Sequence, residues 1–112
     1  MNSEKKKELQ NAYRNRAVVG GVYCIECSGN GRRWIRATEN IAAIKNRFNF
    51  AVATKSAPDP GMRNECDEFG IKSFSLTVLE ELEKKETQTD KEFSDDLEAL
   101  LQLWLEKYEI NA

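Results

Sequence analysis

Apolar residues alternate with polar ones in two stretches of this chain and recur at helical spacing in several others. Val22-Tyr23-Cys24-Ile25-Glu26-Cys27 is rich in β-branched and aromatic residues and predicts a strand. Ser28-Gly29-Asn30-Gly31 is turn chemistry, with glycine and asparagine available for positive φ, and Arg33-Trp34-Ile35-Arg36-Ala37-Thr38 is the return strand. Ile41, Ile44, Phe48 and Val52 follow at spacings that put them on one face of a helix, with Thr38 offering a cap. The loop Ser56-Ala57-Pro58-Asp59-Pro60-Gly61 ends that helix. Met62, Cys66 and Phe69 fit a short helix closed by Gly70. Residues 74–79, FSLTVL, alternate again and predict a third strand, and the charged residues 80–88 predict a loop.

Thr89 with Glu92 forms the sequence pattern of a capping box. The last helix then carries Phe93, Leu97, Leu100, Leu101, Trp104, Leu105 and Tyr108 on one broad face, which must pack on the sheet. Near the start of the chain, residues 3–16 favour a polar helix with Ser3 as cap and only Leu9, Ala12 and Tyr13 as an apolar stripe. The expected fold is α+β: a small three-stranded antiparallel sheet with helices packed around it. The expected organisation is a polar N-terminal helix over 1–16 and a single domain over 17–112.

Composition narrows the class. A chain of 112 residues with 40% hydrophobic and 32% charged residues can bury one modest core and is expected to be a soluble globular protein. No apolar run approaches a membrane span, and no hydrophobic region follows the charged N-terminus, so no membrane association and a cytoplasmic location are expected. The net charge of −2 hides an asymmetry. Residues 1–63 hold 12 Lys/Arg against 5 Asp/Glu, and residues 64–112 hold 5 against 14. The acidic half offsets the basic one, so nucleic-acid binding is expected to be weak and salt-sensitive.

There are three cysteines and no histidine. Cys24 and Cys27 match a C-x-x-C spacing, but on a strand they point to opposite faces. Cys66 alone cannot complete a zinc site, so buried reduced thiols are expected and neither a metal nor a cofactor.

Gly21-Val22-Tyr23 and Trp34-Ile35-Arg36, flanking the turn, resemble the two triplets that open GIY-YIG nuclease domains. Thr38-Glu39-Asn40-Ile41 resembles that family's approach to its first helix. Glu68-Phe69-Gly70-Ile71-Lys72-Ser73-Phe74 resembles its approach to the third strand, Val78-Leu79-Glu80 the strand exit, and Trp104 an aromatic of the terminal helix. The resemblance spans residues 20–108.

It implies metal-assisted phosphodiester hydrolysis, with a tyrosine pair near the attacking water, a helix arginine on the phosphate and a glutamate on the cation. Matched position by position, Tyr23 keeps the first tyrosine, Trp34 replaces the second and Arg36 replaces the second triplet's glycine. The arginine position falls on Ile44, the glutamate position on Leu101, and Phe48 stands where the family often has histidine. Ile44 and Leu101 also complete apolar stripes, so both are expected to be buried as core.

The expected function is therefore a catalytically degenerate GIY-YIG-like module that binds or adapts, with protein as the expected partner and no catalytic residues. One alternative is a magnesium-dependent endonuclease with a relocated site built from Tyr23, Arg47 and Glu98. The other is a non-catalytic nucleic-acid binder using Arg32, Arg33, Arg36, Lys45 and Arg47.

Overall fold

A computed structural model describes residues 18–110, with side chains described to Tyr108. The helix expected over 3–16 lies outside the described residues. Three strands, β1 (Val19–Cys27), β2 (Arg33–Thr38) and β3 (Phe74–Glu83), form one antiparallel sheet in the order β2-β1-β3. Three helices, α1 (Ile41–Thr54), α2 (Arg63–Phe69) and α3 (Asp90–Ile110), complete an α+β fold. Short 3-10 turns over Pro60–Met62 and Ile71–Ser73 flank α2.

The hairpin forms as its residues dictate. Cys27 donates its N–H to Arg32 O at 2.9 Å, Gly31 donates to Cys27 O at 2.8 Å, and Gly31 takes φ +73°. A side chain at Gly29 would strike the Phe69 ring, and Ser28 N–H donates to Ser73 O at 2.8 Å. The hairpin tip is thereby fastened to the segment that follows α2. Tyr23 stands opposite Arg36 on β2 and Val78 on β3, and Ile25 opposite Trp34 and Leu76.

Because side chains alternate across a strand, the register sorts the sheet into two faces. One face carries Tyr23, Ile25, Cys27, Trp34 and Phe74, which form a core with Ala51 of α1, Met62, Cys66 of α2 and Ile71. Trp34 stacks on Phe74 with ring centroids 5.8 Å apart. The other face, with Val22 and Cys24, lies under α3. Phe93 sits where a side chain on Gly20 would go, the Trp104 indole N–H donates to Glu80 at 2.9 Å, and Arg33 lies over the Tyr108 ring. Cys24 and Cys27 thus occupy opposite faces, and all three cysteines are buried and unpaired.

The capping box forms in full: Glu92 N–H donates to Thr89 Oγ1 at 3.1 Å and Thr89 N–H donates to Glu92 Oε1 at 2.8 Å. Gly70 at φ +81° ends α2, donating to Cys66 O at 2.8 Å.

Four details differ from the sequence pattern. α1 is capped by Asn40, whose Oδ1 accepts from Ala43 N–H at 3.0 Å, while the Thr38 hydroxyl accepts from Asn40 N–H at 3.1 Å. Val52 is 42% exposed and its neighbour Ala51 is the residue of that turn buried in the core. Ile44 and Leu101 are half-buried rather than fully buried. β3 runs on through Glu83, since Val19, Gly21 and Val22 of β1 give the acidic residues Glu83, Glu81 and Glu80 their backbone partners. A bulge between Val22 and Tyr23 lets that longer ladder continue.

Candidate functional site

Of the candidate residues, Arg36, Ile44, Arg47 and Phe48 are brought together around Tyr23. Its side chain points to the α1 face, and Ile25, Ile44, Arg47, Phe48, Pro58, Asp59 and Met62 close a cavity of about 20 Å³ beside it. That space is about the size of one water. Burial pushes the Tyr23 hydroxyl above the usual phenol range; Arg36 opposes the shift, Asp59 adds to it, and Arg47 opposes it. The site is therefore a neutral phenol beside two guanidinium groups and one carboxylate.

Asp59 is the member that the sequence pattern does not reveal. The loop before the Pro60–Met62 turn carries it back to the sheet, where it pairs with Arg36. Its carboxyl is held below the ordinary carboxylate value, first by the Gly61 backbone N–H, which donates to Oδ1 at 2.8 Å, and then by Arg36. Proline at residue 60 signals a turn, but no local pattern says that this aspartate returns to β2.

The basic side chains do not form one patch. Arg32 pairs with Glu65 at 2.5 Å while its guanidinium lies over Trp34, and Glu65 is among the buried residues. Arg33 pairs with Glu26 at 2.7 Å on the α3 face. Arg36 pairs with Asp59 on the α1 face. Lys45 and Arg47, both exposed on α1, make no salt bridge among the described residues. Of five candidate nucleic-acid contacts, three are neutralised within the fold and two share one helix.

Trp34 sits on the same face as Tyr23 but opposite Ile25, stacked on Phe74, so its indole belongs to the core. Ile44 packs against that core beside Tyr23. Leu101 lies with Phe93, Leu97 and Trp104 on the sheet-facing stripe of α3. The sheet therefore stands between Ile44 and Leu101. Glu98 is exposed on α3 and accepts from the Gln102 amide at 3.0 Å. It is not brought to Tyr23 and Arg47.

A hard divalent cation needs several oxygen ligands converging at short range. Among the described residues, no three His, Cys, Asp or Glu side chains gather to hold an ion. Among the described residues, the only carboxylate lining the space beside Tyr23 is Asp59, already engaged by Gly61 and Arg36. The residues present do not fit the cation that the family resemblance implies. No described helix is long and apolar enough to cross a membrane. Comparison with family models, with curated proteins and with solved structures finds no match.

Proposed function

We propose that this chain is a cytoplasmic, GIY-YIG-like domain without nuclease activity that works as a binding or adaptor module for protein. The observation that carries this reading is the surroundings of Tyr23. Where the resemblance calls for a guanidinium aimed at phosphate, Ile44 fills the space with an aliphatic side chain packed on the core. The remaining cavity of about 20 Å³ admits no phosphodiester. Arg36 could offer a positive donor, but Asp59 already occupies it.

The charge arrangement favours a protein partner over nucleic acid. Backbone-tracking proteins collect several unpaired Lys/Arg along one groove, since each phosphate neutralised adds affinity. Here Arg32, Arg33 and Arg36 spend their charge inside the fold, on two different faces.

The test is a nuclease assay on supercoiled DNA and structured RNA across a magnesium and manganese series, beside a calorimetric titration of the metal. The expected result is neither cleavage nor saturable metal uptake. Metal-dependent cleavage that vanishes in Tyr23→Phe or Glu98→Ala would reinstate an endonuclease with a relocated site.

A further inference from the structure

We infer that the outer edge of β3, with the flank of α1, is a docking groove for an extended peptide, basic at its N-terminal end, added as a fourth strand. The inference rests on the protein-binding reading and names the surface and the partner's chemistry. In the order β2-β1-β3, the outer side of β3 has no strand neighbour among the described residues. α1 stands on the Tyr23 face and leaves a trough along that edge. One end is lined by Lys45, Phe48 and Asn49 of α1 and by Leu76, Thr77 and Val78 of β3. A second space, between the start of α1 and the far end of the sheet, is lined by Val18, Val19, Ile41, Lys45 and Glu81 among others, and the two spaces measure about 560 and 650 Å³. Lys45 borders both spaces.

Three consecutive β3 residues line the first part, although neighbouring side chains point to opposite faces. What they share is the backbone edge, whose outward N–H and C=O groups face no strand among the described residues. Natural sheets blunt such edges with charge, proline or bulges. Here Glu80, Glu81, Glu83 and the bulge protect only the far half, and residues 74–79 carry no charge at all. Strand addition beside a helix takes affinity from main-chain hydrogen bonds and specificity from alternate side chains.

Charge sets the occupant at the far end of β3 alone, because Lys45, exposed and bordering both spaces, disfavours a second basic residue along the rest. A peptide antiparallel to β3 sets its N-terminal end against Glu81 and Glu83, which calls for lysine or arginine there. Its alternate apolar side chains then lie over Phe48, Leu76 and Val78. A second copy of this chain fits less well, because β3 carries six uncharged positions followed by a cluster of glutamates and no basic residue to meet them.

The experiment is an NMR titration of the full ¹⁵N-labelled chain with acetyl-Lys-Thr-Val-Thr-Val-Thr-amide, to about 10 mM, the range suited to a weak isolated strand. Two versions N-methylated at odd or at even amides accompany it. Expected are shifts confined to residues 74–81 and the facing side of α1, with one methylated version inactive and the other tolerated. Glu81→Lys/Glu83→Lys should weaken the lysine peptide roughly five-fold and strengthen a glutamate-headed version by a similar factor, given cross-strand charge pairs of this size. Absence of shifts at these residues, equal behaviour of the two methylated versions, or a dimer in sedimentation with β3 amides protected from exchange would each overturn the inference. The protein-binding reading answers separately to the nuclease assay.

Discussion

Placing arginine at position 44 tests whether the space beside Tyr23 is packing. Ile44 is half-buried against the core, flanked by Tyr23, Ile25, Phe48 and Met62. Fully burying an isoleucine side chain is worth about 1.5–3 kcal/mol, so losing half of that costs about 1 kcal/mol. The guanidinium cannot enter a cavity of about 20 Å³ and must turn outward along α1. There it meets Arg47 three residues on, a like-charge neighbour costing about 0.2–0.5 kcal/mol, with Arg36 close by and Asp59 already taken. The sum is about 1–2 kcal/mol. For a domain of this size that lowers Tm by roughly 5–15 °C. Circular dichroism melts of Ile44→Arg beside Ile44→Met separate charge from volume, since methionine should cost under about 1.5 kcal/mol. The double variant Ile44→Arg/Leu101→Glu is expected to stay inactive with magnesium, because the sheet separates the two positions. An unchanged Tm for Ile44→Arg, or metal-dependent cleavage by the double variant, would refute the reasoning.

Four further outcomes are expected. Phe93→Ala removes a fully buried ring between β1 and α3 and should cost about 3–5 kcal/mol in a urea titration, enough to unfold much of the population at 37 °C. Thr89→Ala opens the capping box of α3 and should cost about 1 kcal/mol by the same measurement. The Asp59 carboxyl titrates lower in the folded chain than its ordinary 3.8, so its stabilisation is complete above that value and disappears as pH falls through the lower folded one. Asp59→Asn should therefore be less stable than the parent at pH 7, with the gap closing below about pH 3 in acid unfolding curves. Tyr23 titrates above its ordinary 10.0, so its contribution is intact below pH 10 and is lost at higher pH; Tyr23→Phe should flatten the alkaline limb of stability.

What the sequence made legible divides by range. Local chemistry read correctly: the 28–31 turn, the strands around it, the Gly70 stop and the Thr89–Glu92 box are each specified by residues within a few positions. Long-range placement did not read. Residues 80–83 look like loop by charge, yet β1 offers a backbone ladder that outweighs the weak strand propensity of glutamate. Val52 completes a perfect stripe on paper, but the contact between α1 and the sheet is set at Ala51. Arg32, Arg33 and Arg36 look like a basic edge, and only the fold reveals Glu65, Glu26 and Asp59 as their partners.

The pairing of those arginines also bears on what the domain can bind. An exposed ion pair contributes little to stability, commonly under about 1 kcal/mol, so the Arg33 and Arg36 pairs are not explained as a large gain in folding energy. Their larger effect is on the outer field: each removes one cation from the surface available to phosphate. Glu65 is the strongest case, because its side chain is 10% exposed against 56% for Arg32, and its second carboxylate oxygen has no hydrogen-bond partner. Arg32 therefore compensates a buried charge and is not free to leave for a ligand. Arg32→Ala should destabilise the chain more than Arg33→Ala, whose partner Glu26 is 38% exposed and can hydrate. The added variant Arg32→Ala/Glu65→Gln should recover most of the difference. If the two arginine variants melt alike, Glu65 is not held by Arg32, and the claim that this cation is committed inside the fold fails with it.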